Sequence, residues 1–107
     1  MARQGGVYVG VLLIELGTPW AKSLKEKRSL VMPVTEKLKA RFPVSVARLD
    51  GLDAHDWELI GITSLSHDPV WLEGMLRKVL DFVGAREVSV VRSQLDVEPW
   101  EFGSAQE

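Results

Sequence analysis

Val7-Tyr8-Val9-Gly10-Val11-Leu12-Leu13-Ile14-Glu15-Leu16 is apolar at both odd and even positions. A strand with water on one side alternates apolar and polar residues, so this run reads as a central strand covered on both faces. Gly17 and Pro19 end it. Downstream, Ser23-Leu24-Lys25-Glu26 has the S-x-x-E form of a capping box, in which hydroxyl and carboxylate each satisfy an orphan N–H at a helix start. Leu24, Val31, Val34, Leu38 and Phe42 then recur at 3.6-residue spacing, with Arg28 and Thr35 beside them, and form the stripe that faces a sheet. Pro33 falls almost opposite that stripe. Its missing N–H predicts a bend with Pro33 on the solvent side, not an end to the helix.

Pro43 closes this helix, and Val44-Ser45-Val46-Ala47-Arg48-Leu49-Asp50 alternates as a half-buried strand does. Residues 51–56 form a loop, and Trp57 to Ser66 form a third strand with Ile60 and Ile62 on one parity, Leu59 and Leu65 on the other. Asp68-Pro69 supplies an N-cap and an N1 proline. Leu72, Met75, Leu76, Val79 and Val83 line the second helix, with Trp71 and Phe82 off the stripe and Gly84 placed as a C-cap. A last strand is expected from Glu87 to about Val97. The order βαββαβ, with short right-handed connections, predicts an α+β, ferredoxin-like split βαβ fold. Its sheet is four-stranded and antiparallel, with both helices on one face and strands one and three in the centre. Residues 1–107 read as one such domain, with a core at about 7–97 and a flexible C-terminal tail.

The bare side of that sheet carries a consequence. Whichever parity of the first strand faces the helices, an apolar row is left uncovered, and such a patch on a soluble protein usually marks an interface. The expectation is a homodimer through the sheet face.

At 107 residues, 46% of them hydrophobic and 26% charged, the chain has ordinary globular composition. It has no cysteine, which excludes disulfides, thiolate metal sites and cysteine nucleophiles. The Val7–Ile14 run is far short of the roughly 20 residues that cross a bilayer, so a cytoplasmic protein with no membrane partner is expected. A net charge of −2 and a pI near 5.7 speak against a dedicated DNA binder. The charge is uneven, however. Between Lys22 and Arg41, seven basic residues stand against Glu26 and Glu36, a local +5 that leaves −7 on the rest. One basic element on an acidic body suits either an anionic partner or internal neutralisation.

Catalytic signatures are missing from the sequence. It contains no G-x-x-x-x-G-K-[ST], G-x-G-x-x-G, H-E-x-x-H or G-x-S-x-G, so no catalytic residue, metal ligand or cofactor is nominated. His55 between Asp53 and Asp56 resembles a metal cluster, but His67-Asp68 lies at the far end of the third strand, about 30 Å away, and cannot complete it. The candidate site is the start of the first helix, where Lys22, Ser23, Lys25, Lys27 and Arg28 suit a phosphate. The alternative is that Asp50, Asp53, Asp56, Glu98 or Glu101 neutralises those cations. Lys27, Lys37 and Arg41 share a flank that reads as solvated charge with packed aliphatic stems. The third strand offers Leu59-Ile60-Gly61-Ile62-Thr63 and no aromatic platform, so any RNA contact falls to the basic helix and its flanking loops, through phosphates.

Gly10, the string Ser23-Leu24-Lys25-Glu26-Lys27-Arg28, Phe42-Pro43-Val44-Ser45-Val46-Ala47, and Asp56-Trp57 followed by Gly61 resemble the YlxP-like family of small bacterial proteins, over about residues 7–97. The resemblance implies a ferredoxin-like domain without an assigned activity. It also implies a gene neighbourhood shared with translation factors, and so a ribosome or RNA association. Members often carry Asn at the place of Pro43 and an acidic residue at that of Arg48. The leading expectation is therefore a non-catalytic accessory protein contacting a ribosomal subunit or structured RNA through the basic helix. A homodimeric small-ligand-binding or regulatory domain is the alternative, and a small enzyme a third.

Overall fold

The computed structural model describes residues 6–101. Its elements are β1 (Val7–Gly17), α1 (Leu24–Arg41), β2 (Ser45–Asp50), β3 (Trp57–Ser66), α2 (Pro69–Gly84) and β4 (Ser89–Trp100). The sheet order is β2-β3-β1-β4 with every pairing antiparallel, the ferredoxin-like arrangement with β1 and β3 in the centre. No described helix is long and apolar enough to cross a membrane.

The even positions of β1 face the helices. Leu12, Ile14 and Leu16 are fully buried, and they pack with Ile60 and Ile62 of β3, Val31, Val34 and Leu38 of α1, and Leu72, Leu76, Val79 and Val83 of α2. Gly10 continues this row for a steric reason. A Cβ there would lie 2.5 Å from Leu76 Cδ1 and 3.0 Å from Leu72 Cγ, so the absent side chain lets α2 sit down on β1. The odd positions of β1 face away, and on that side Val11 of β1 at 36% and Leu65 of β3 at 66% are open to solvent.

Pro33 lies within an unbroken α1 and is exposed. Three boundaries differ from the sequence reading. β4 starts at Ser89 and runs on to Trp100, pairing with β1 throughout, and a bulge at Val91 shifts its register between Glu15 and Leu16. Gly84 is the last residue of α2, and Ala85 is its cap, with φ −91° and an N–H that reaches the carbonyls of Asp81, Phe82 and Val83. No left-handed residue is needed there, which is why the glycine is not the cap. The tail after Trp100, read as flexible, lies mostly in residues 102–107, outside the described residues.

α1 turns a different face inward from the one its apolar stripe predicts. Arg28, placed beside the apolar stripe, is exposed, and Lys27 is buried in its stead. On a 3.6-residue helix Lys27 falls about 40° from Val31 and Arg28 about 60° on the other side. The remaining buried positions, Val34, Thr35 and Leu38, leave the sheet-facing centre nearer to Lys27.

Candidate anion-binding surface of the first helix

Lys27 has 0% exposure and points into the end of the fold where β1 leaves the sheet. Its Nζ donates to the Gly51 carbonyl at 2.7 Å and the Trp57 carbonyl at 3.2 Å, and pairs with Glu58 Oε1 at 3.0 Å. Three partners exhaust an ammonium's three protons. Glu58, also at 0%, stands on the helix-facing row of β3 after Ile62 and Ile60. Arg48 of β2 closes the cluster: its Nη2 donates to Glu58 Oε1 at 2.8 Å and its Nε to Oε2, a two-pronged contact. Burial by itself would push the Glu58 carboxyl up. The hydrogen bonds from Arg48 and Lys27, with their charges, outweigh it and hold the carboxyl below its ordinary range. The Glu58 hydrogen bond correspondingly raises the Arg48 guanidinium against the opposing effect of burial.

The loops around this cluster are tied together. Thr18 N–H donates to the Asp56 carbonyl at 2.8 Å and Thr18 Oγ1 to the His55 carbonyl at 3.0 Å, while His55 Nδ1 meets the Ala21 carbonyl at 2.9 Å. Gly51, at φ +74°, makes the left-handed turn that aims its carbonyl at Lys27. His55 is thus engaged as a loop fastener. The start of α1 is thereby fixed against the β2–β3 loop.

Lys22, Ser23, Lys25 and Arg28 surround the exposed side of that fixed helix start. The Ser23 oxygen accepts from Glu26 N–H at 3.1 Å, and Glu26 Oε1 accepts from Lys22 N–H at 2.7 Å. The capping box is present, with its return bond one residue earlier than the usual pattern. The carboxylate that meets the positive end of α1 is therefore Glu26, on the helix itself. Among the described residues, no carboxylate lies within salt-bridge distance of Lys22, Lys25 or Arg28, so the proposed neutralisation by Asp50, Asp53, Asp56, Glu98 or Glu101 is not formed there. Of the five residues nominated from sequence, four share an exposed surface. Lys27 does not, because its charge is consumed inside the fold.

Farther along α1, Lys37 and Arg41 are exposed, and Lys39 pairs with Glu36 at 3.1 Å. Sequence reasoning missed both Glu58 and the aromatic cluster at the far end of α1, where Arg41 and Arg86 each stack on Phe82. For Glu58 the signal was present: it shares the parity of Ile60 and Ile62, and a carboxylate on a core row demands a cation.

A family model described as a protein of unknown function, DUF503, matches residues 9–95. The chain belongs to the DUF503 family. The matched span runs from within β1 to within β4 and takes in the whole Lys27–Glu58–Arg48 cluster and the exposed helix start, so both are features of the DUF503 domain in this chain. No curated protein matches the chain.

Proposed function

We propose that this DUF503 protein is a non-catalytic accessory factor that contacts ribosomal or other structured RNA through phosphates at the start of α1. The observation that carries the reading is the exposed trio Lys22, Lys25 and Arg28, without carboxylate partners among the described residues, on a helix start that the buried ion cluster holds in place. The Ser23 hydroxyl keeps its proton available as a donor, because only its oxygen is used in the cap. Cations on a fixed helix bind phosphate without base specificity, and the affinity falls steeply with salt. The resemblance to YlxP-like proteins points the same way. The test is co-sedimentation with ribosomal subunits at low and high salt: binding at low salt that charge reversal of Lys25 and Arg28 removes supports the reading, and undiminished binding ends it.

A second reading concerns self-association, and the outer row of the sheet favours it. Val11, Leu65, Leu49 over Gly61 and Val91 over Gly17 are exposed on the side away from the helices. A second copy laid sheet to sheet would remove them from water. Sedimentation equilibrium at micromolar concentration should give a dimer that Leu65→Lys converts to a monomer. A monomeric wild type would end this reading.

A further inference from the structure

Phe82, near the end of α2, is half-buried, and two guanidinium groups lie over its ring: Arg86 with its central carbon 4.0 Å from the ring centroid and Arg41 at 5.1 Å. The two charges are therefore within about 9 Å of each other. The ring is itself held by Phe42, edge to face at 5.8 Å and 74°. Arg86 Nε is spent on the Phe82 carbonyl at 3.3 Å, which fixes the guanidinium plane and leaves its outer nitrogens pointing away from that bond. Beside Arg86 runs a groove of about 340 Å³ between α1 and the α2–β4 connection, lined by Leu30, Pro33, Val34, Lys37, Arg86 and Glu87 among others, while Arg41 lies over Phe82 and outside that lining. Lys37 and Arg86 thus face one space. Among the described residues, no carboxylate lies within salt-bridge distance of Lys37, Arg41 or Arg86; Glu87 is the one acidic side chain on the groove wall.

Guanidinium groups held like this lose little freedom on binding, and their fork geometry fits phosphate oxygens. We propose that Lys37, Arg41 and Arg86 form a second phosphate-binding site, a clamp at the C-terminal end of α1. Its ligand is a phosphate of the same structured RNA that Lys22, Lys25 and Arg28 contact, so the assignment of RNA rests on that reading while the clamp's chemistry stands on its own. From Lys25 to Arg41 the helix rises about 24 Å. The two clusters lie on opposite flanks of α1, so an RNA that contacts both must cross the helix.

The test uses the full chain with two probes, a structured RNA hairpin and inorganic tripolyphosphate, which separates a polymer phosphate from a free one. With the hairpin, the triple variant Lys37→Gln, Arg41→Gln, Arg86→Gln should flatten the slope of log affinity against log salt by about 2 to 3, one phosphate contact per lost cation. Arg86→Lys should lose part of the affinity, because an ammonium keeps the charge but not the stacked fork. Glu87→Gln should raise affinity. An unchanged slope in the triple variant, while Lys22→Gln, Lys25→Gln, Arg28→Gln flattens it, overturns the clamp and leaves the RNA reading standing. Where the wild type ignores the hairpin, the RNA reading fails and tripolyphosphate decides the clamp. A thermal shift that the clamp variant abolishes upholds the site, and the absence of any shift in the wild type overturns it.

Discussion

Lys27 and its neighbours Lys25 and Arg28 lie within one helical turn and serve opposite ends. Lys27 is sealed from water with three polar partners, whereas Lys25 and Arg28 face solvent. The difference comes from helical phase alone, since Lys25, Lys27 and Arg28 all carry a positive charge. A local charge sum of +5 is therefore not a count of available cations. One of them balances Glu58, another pairs with Glu36 on the surface, and only the remainder can meet a partner.

The strongest challenge to this contrast is to remove the buried cation. Lys27→Met leaves Glu58 in the interior with Arg48 alone and the Gly51 and Trp57 carbonyls short of a donor. Breaking a buried pair in this way costs about 3–5 kcal/mol, which for a domain of this size lowers Tm by more than about 10 °C. Thermal unfolding followed by circular dichroism checks it. Replacing both partners, Lys27→Met with Glu58→Met, should recover at least half of the loss, because Arg48 is partly exposed and can turn to water. A double variant no more stable than the single one would show that the cluster acts through packing and not charge.

Acid provides the next probe. The Glu58 carboxyl titrates lower in the folded protein than its reference value of 4.5, so the unfolded chain binds the extra proton first. Its contribution to stability is fully present above that reference value and is lost as pH falls through the lower folded value. Urea midpoints measured from pH 7 downward should hold nearly level to about pH 5 and then decline. Part of that decline should vanish in Glu58→Gln measured against its own neutral-pH value; an identical slope would place the acid sensitivity elsewhere.

The exposed cations should behave in the opposite way, mattering for binding and little for stability. Lys25→Glu with Arg28→Glu should leave stability within about 0.5 kcal/mol, since surface charges contribute little and an acidic group at position 25 suits the first turn of the helix. Binding to RNA should nevertheless fall at least tenfold at low salt. The smallest effect belongs to Lys39→Gln, which breaks an exposed pair with Glu36 and should shift stability by no more than about 0.5 kcal/mol.

Much of this molecule was legible before its structure. The two-sided apolar run of β1, the full extent of β3, the Asp68-Pro69 start of α2 and the tolerated Pro33 all follow from local chemistry, and together with element order they lead to the observed sheet. The end of β4 was less visible. Pro99 looks like a terminator, but β4 is an edge strand, where a missing N–H is tolerated, and Pro99 sits opposite Tyr8 in the ladder. The apolar stripe puts Arg28 at its border and Lys27 on a solvated flank, whereas the positions that are buried, Val31, Val34, Thr35 and Leu38, centre the inward face nearer to Lys27, and Glu58, joined across the fold, meets its charge there. The Phe82 cluster was hidden for a similar reason: Arg41 and Arg86 belong to separate elements and meet only once α1 and the end of α2 are side by side.

We propose that this protein meets RNA through the exposed cations of α1 and not the buried one. The direct measurement is co-sedimentation with purified ribosomal subunits at about 50 mM and 200 mM salt, where phosphate-driven binding differs strongly, comparing the wild type with Lys22→Glu, Lys25→Glu, Arg28→Glu. Wild-type protein should pellet with the particles at low salt and release at high salt, and the folded triple variant should stay in the supernatant at both. Wild-type protein that fails to pellet at low salt, or a triple variant that pellets equally well, would contradict the account.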